Sequence, residues 1–148
     1  MHRYGFSLLL PVLLLIGAQP VAAQIIEAES ANGERILMSE TLRRAEHKIM
    51  VRAIGRIGDE RTEWALTFRS TDARSEVQLT ADGESIAPLR VATDADAPGG
   101  MTTVFLSGEA FYEIAHASEV AVTIGDRSLT LPAEIHDDMQ RILRRSGG

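Results

Sequence analysis

The feature that most constrains this chain is period-two alternation punctuated by glycine turns. Trp64, Leu66 and Phe68 alternate with Ala65, Thr67 and Arg69, the pattern of a half-buried strand whose side chains point to opposite faces. Lys48 to Ile57 alternates in the same way, with Ile49, Val51 and Ala53 on one side and Met50, Arg52 and Ile54 on the other. Val77 and Leu79 mark a further strand, followed by Asp82-Gly83. That dipeptide suits a tight hairpin turn, which needs positive φ at both central residues. Ser85 to Val91 is expected to return as a strand, at an edge or bulged at Pro88, which has no backbone N–H to donate. Thr102 to Leu106 reads as another strand. Val120, Val122 and Ile124 alternate next, Gly125-Asp126 is a second two-residue turn signal, and Leu129 and Leu131 alternate on the return.

Two segments switch to helical spacing. Ser107 is placed to cap a helix carrying Glu109 near its positive end and a Phe111, Ile114, Ala115 stripe. The second helix starts near Pro132 and carries Ile135, Met139, Ile142 and Leu143 at helical spacing. Glu134, Asp137 and Asp138 lie toward its N-terminus, and Arg141, Arg144 and Arg145 toward its C-terminus, matching the helix dipole. Tight hairpins and the lack of alternating long helices predict an α+β fold: a mostly antiparallel sheet of hairpins with two helices, the second C-terminal, packed on one face. Ser39 to Arg44 reads equally as a helical turn capped by Ser39 or as strand. Ala92 to Gly100 is the longest breaker-rich loop.

The N-terminal residues carry a different signal. Met1 to Tyr4 hold one cation, Arg3, and Phe6 to Ala18 form an apolar run interrupted by Pro11. Val21-Ala22-Ala23 then places small residues at −3 and −1 of a cut between Ala23 and Gln24. The order basic, apolar, small is that of a secretory signal, and the run is shorter than the roughly 20 apolar residues of a membrane-spanning helix. The organisation expected is therefore a signal peptide over 1–23, a loose polar arm over 24–35, one α+β domain over 36–145 and a frayed tail over 146–148. The location expected is outside the cytoplasm, in the periplasm or the medium. The excess of Arg over Lys, 14 to 1, fits a bacterial source with GC-rich coding.

Residues 24–148 hold 14 basic and 21 acidic side chains, a net charge of −7. Such a charge repels nucleic acid and anionic lipid surfaces, so neither is an expected partner. Having no cysteine, the chain forms no disulfide, thiolate nucleophile or Cys-ligated zinc site, and stability rests on the core.

No motif carries chemistry. Neither Gly-x-Ser-x-Gly nor Ser-x-x-Lys occurs, and Gly99-Gly100 precedes a strand rather than the helix a phosphate loop needs. Glu113-x-x-His116 has the spacing of carboxylate-bridged metal sites but lacks the second copy they require. His136 beside Asp137 and Asp138 lacks i, i+4 geometry, and His47 has no ligand-spaced neighbour. Asp94-x-Asp96 resembles the opening of a calcium loop, yet Pro98 and Phe105 stand where later ligands belong. Lys48 is the single lysine, and Trp64 reads as core before ligand platform. No catalytic, cofactor-binding or metal-binding residue is assigned, and no cofactor is expected.

The run Leu79-Thr-Ala-Asp82-Gly83, followed by Phe111-x-x-Ile114-Ala115-x-Ala117-x-x-Val120-x-Val122-x-Ile124-Gly125, resembles small exported bacterial α+β proteins of uncharacterised function. The resemblance covers about residues 63–143 and implies a fold type and no activity. The reading that follows is a non-enzymatic exported domain binding a protein, peptide or cell-envelope component through loops such as 92–101. A small hydrolase with a fold-assembled Asp/Glu/His site, or a structural subunit of an envelope assembly with an exposed apolar patch, is the alternative.

Overall fold

The computed structural model describes residues 24–147; the segment expected to be a signal peptide, including Ala23 of the expected cut, lies outside the described residues. Strands run as β1 (Ile25–Glu29), β2 (Arg35–Ser39), β3 (Arg43–Arg44), β4 (Met50–Ile57), β5 (Thr62–Arg69), β6 (Val77–Ala81), β7 (Glu84–Ile86), β8 (Arg90–Asp94) and β9 (Met101–Leu106). Helix α1 (Gly108–His116), strands β10 (Val120–Ile124) and β11 (Arg127–Thr130), and helix α2 (Ala133–Arg145) complete the chain. The class is α+β with antiparallel pairing throughout.

Where one sheet was the simplest expectation, the strands divide into two. The larger has seven strands in the order β1-β2-β4-β5-β9-β8, with β3 also on β4; the smaller has four, β11-β10-β6-β7. Pro88 is where they part. The single return strand expected over Ser85 to Val91 is broken around it, and β7 goes to the small sheet while β8 goes to the edge of the large one. A residue without an N–H cannot continue a ladder, and here the chain uses that break to change sheets.

The expected loose arm over 24–35 is also different. Ile25 to Glu29 pairs along its whole length with Ser39 to Arg35, around a turn in which Gly33 N–H donates to the Ser30 carbonyl. Alternation was hidden there because β1 is an edge strand with only Ile25 buried. Ser39 to Arg44 resolves as strand, turn, strand: β2 and β3 share one side of β4. At the gap between them the Ser39 hydroxyl accepts the Ala53 N–H at 3.1 Å, replacing a ladder bond. His47 and Lys48 are in a tight turn with positive φ, so the strand expected from Lys48 begins at Met50. Strand β8 likewise extends to Asp94, into the expected 92–100 loop.

The core lies on one face of the large sheet. Leu37, Val51, Ala53, Leu66, Phe68, Val104 and Leu106 point inward and are buried. Both helices pack against this face, and the apolar side of the small sheet joins the same cluster. The Ser107 hydroxyl caps α1 by accepting the Ala110 N–H at 3.1 Å, and Phe111 stacks on Trp64 at 4.8 Å. Helix α2 buries Ile135, Met139 and Ile142. Among the described residues no helix is long and apolar enough to cross a membrane.

Candidate functional site

Each strand has a second face, and the two sheets treat it differently. On the small sheet it carries Gln78, Thr80, Ser85, Ala121, Thr123, Ser128 and Thr130, the polar surface that water requires. On the large sheet it is apolar at its centre. Register aligns Ile26 with Met38, Met38 with Ile54, Ile54 with Ala65, and Ala65 with Phe105. These five residues cross five adjacent strands, about 19 Å at roughly 4.8 Å per strand. Ile36, Met50 and Met101 flank the stripe on the same face, and among the described residues no helix covers it. Ile26 is 40 % exposed, Met38, Ile54 and Phe105 are half-buried, and the small Ala65 between Ile54 and Phe105 is buried.

The stripe holds a depression of about 190 Å³ floored by Ile54, Ala65 and Phe105 and rimmed by Arg56, Glu63 and Arg90. A second, of about 220 Å³, adjoins it beside Trp64 and the exposed Leu89. Arg90 lines both, with its guanidinium carbon 3.6 Å from the Phe105 ring centroid, a cation–π contact, and its Nη2 3.5 Å from Glu63. Glu63 also lies 3.9 Å from Arg56 and 3.9 Å from Arg61. Its charge is thus shared among three cations.

Beyond the stripe the next row runs Arg52, Thr67, Thr103, Ala92, and the row after it Met50, Arg69, Met101, Asp94. Among the paired strand residues of this face, Arg44, Arg52, Arg56, Arg69 and Arg90 stand against Glu63 and Asp94, in a protein that is otherwise acidic. Arg52 is half-buried where the other four are exposed. Its Nη2 donates to the Glu40 carbonyl at 3.3 Å, but its Nε is buried without a partner among the described residues. Burial first, and then the neighbouring positive charge of Arg69, lower its pKa below the usual arginine value. Both make the cation more costly where it stands. The Thr67 and Thr103 hydroxyls lie 3.4 Å apart beside it.

No family model, curated protein or solved structure matches this chain.

The residues weighed in the sequence are spread over other surfaces. His116 lines a wide open groove of about 440 Å³ with Asp82, Glu84, Glu113 and Tyr112. Its Nδ1 bonds the Tyr112 carbonyl at 2.9 Å, and the two rings stack at 4.2 Å. Asp82 accepts the N–H groups of Ser118 and Glu119 at 3.1 and 2.9 Å, so its carboxylate ties the β6–β7 turn to the end of α1. His136 Nδ1 bonds the Ile114 carbonyl at 2.9 Å, and His47 Nε2 bonds the Ser128 carbonyl at 3.1 Å. Asp94 accepts the Asp96 N–H at 2.9 Å, an Asx turn within its own loop. Among the described residues no three His, Asp or Glu side chains converge as a metal-binding group. Gln24, on the far side of the expected cut, is exposed; its carbonyl accepts the Glu40 N–H at 2.9 Å.

Sequence reasoning missed the open face because it looked for reactive motifs. The signal was there: Met50 and Ile54 alternate with buried Val51 and Ala53, and Met101 and Phe105 alternate with buried Thr102 and Val104. A strand apolar on both faces needs cover on both faces.

Proposed function

We propose that the protein is an exported binding domain whose open sheet face docks a protein, peptide or cell-envelope component. The observation carrying this is the uncovered stripe from Ile26 to Phe105. An apolar surface left facing water by one sheet, when the other sheet of the same molecule is polar outside, marks an interaction site; it equally fits a structural subunit of an envelope assembly, which self-association of the purified domain would favour. The sheet supplies a rigid platform, and the two depressions supply sockets of the kind that anchor side chains fill in a binding interface. The location outside the cytoplasm rests on the N-terminal signal pattern alone.

Affinity capture from an envelope extract tests it, with residues 24–148 as bait. A partner bound by the wild-type domain is expected to be lost with Ile54→Glu and with Phe105→Glu, while thermal melting remains cooperative. A partner retained equally by both variants would refute the assignment of the site. The hydrolase alternative has the His116 groove as its support, since an imidazole and three carboxylates line it. Asp82 is already engaged there with two backbone N–H groups, and the groove is wide open to water. A His116→Ala variant that loses a hydrolytic activity of the purified domain would promote that reading.

A further inference from the structure

Resting on that reading, we infer that Arg52, Arg69, Thr67 and Thr103 form a carboxylate site on the open face, and that the partner is a peptide segment of another protein carrying an acidic residue beside a large apolar one. Three observations lead there. First, among the described residues the buried Nε of Arg52 has no partner, and its guanidinium lies beside a second cation. The Nε has no surface of its own to offer, but the side chain as a whole is half-buried, and a carboxylate at the outer nitrogens of two adjacent guanidiniums would be held by charge-assisted hydrogen bonds. Second, the hydroxyls of Thr67 and Thr103 stand in the same cross-strand row, with Thr67 directly opposite Arg52. Thr67 is buried and Thr103 half-buried; with the Thr67 hydroxyl donating to Thr103, the Thr103 hydroxyl keeps a proton for a further acceptor. Third, the adjoining row is the apolar stripe. Its depression of about 190 Å³ is smaller than the roughly 300 Å³ or more of small-molecule sites and suits one anchoring side chain.

Charge selects among occupants. A second copy of this face would bring five arginines against five. An anionic membrane would meet a protein whose net charge over residues 24–148 is −7, and its field would repel the molecule as a whole. A single carboxylate on a peptide feels chiefly the local cations.

The test is selection of a phage-displayed library of random 12-residue peptides on immobilised residues 24–148. A winning peptide is then synthesised with Glu and with Gln at its acidic position. Selected sequences are expected to pair Asp or Glu with Leu, Ile, Phe or Trp. Replacing that Glu by Gln should weaken binding to the wild-type domain about tenfold or more, the size of a charged hydrogen bond. It should cost little further in Arg52→Gln, because the coupled partner is already gone. Arg69→Gln, at an exposed position, gives a second reading should Arg52→Gln fold poorly, and is expected to reduce the same preference. Peptides without acidic residues, or additive losses in the double comparison, would overturn the inference. So would stronger binding to phosphatidylcholine vesicles containing phosphatidylglycerol than to any selected peptide. If Ile54→Glu abolishes peptide binding while the arginine variants leave it and its acidic preference intact, the carboxylate site falls and the sheet-face reading stands. If Ile54→Glu changes nothing, both fall.

Discussion

Asp138 is fully buried on α2, where its two carboxylate oxygens accept from Arg43 Nε at 3.0 Å and Nη2 at 3.1 Å. The pairing pushes the Arg43 pKa above its usual value. From the sequence Asp138 reads as one of three acids complementing the helix dipole. In the structure it is a buried anion whose partner lies 95 residues earlier, on a two-residue strand; no local pattern encodes such a pair. Removing one member leaves the other desolvated and alone. Asp138→Ala is therefore expected to cost about 3 kcal/mol or more, whereas Arg43→Met with Asp138→Leu should recover most of the loss. Urea denaturation at neutral pH measures both. Arg52 calls for the opposite sign. Its buried Nε has no partner among the described residues, so Arg52→Met should leave stability unchanged or raise it by about 1 kcal/mol, the scale of an unsatisfied buried donor. Destabilisation of 2 kcal/mol or more on that scale would show that Arg52 serves the fold, and would remove its motive as a binding group.

At the level of elements, turns carried the most readable information. Asp82 and Gly83 both have positive φ, 50° and 86°, and join Ala81 to Glu84 in the two-residue hairpin that their identities require. A Cβ built on Gly83 meets nothing within 4 Å, so Gly83→Val tests backbone conformation without a clash. It should destabilise by about 1 kcal/mol or more. Gly100 has a similar φ of 79°, but a Cβ there would lie 2.3 Å from the Ala73 nitrogen and 2.8 Å from the Asp72 Cα. Its carbonyl also accepts from Ser70 and Thr71. Gly100→Ala should accordingly cost about 3 kcal/mol or more, since backbone must move as well as strain. Equal losses in the two variants, read by thermal melting, would contradict this account. Glycine and proline signal that the chain turns, yet they leave its destination open: Pro88 marked an interruption, and its conversion into a sheet change depends on pairings far along the chain.

At the scale of the whole molecule, alternation and helical spacing sufficed for the class because each needs only neighbouring residues. The division into two sheets was hidden, since β6 pairs with β10 and β5 with β9 across some 40 residues of chain, and period two is silent about which strand a ladder joins. The open face was half-legible: its residues alternate in plain view, but only the placement of both helices on the other side leaves it bare. The same long-range view bears on the N-terminus. Ile25 is 8 % exposed, and its carbonyl accepts from Arg145 Nη1 at 3.2 Å. The Arg35 guanidinium bonds the Arg145 carbonyl at 3.3 Å and the Glu27 carboxylate at 3.0 Å. Strand β1 thus ties the sheet edge to the end of α2. A cut between Ala23 and Gln24 spares every one of these contacts, while a cut a few residues later would strip the edge strand and bare Met38 beside it. Under the proposed export, the product is expected to begin at Gln24, read by N-terminal mass spectrometry of protein recovered outside the cytoplasm. A chain starting at Ser30 should melt on the order of 5 °C lower or more. A membrane-held product retaining Arg3, or a truncation at Ser30 that melts with the full domain, would defeat the assignment of β1 as the first element of the mature fold.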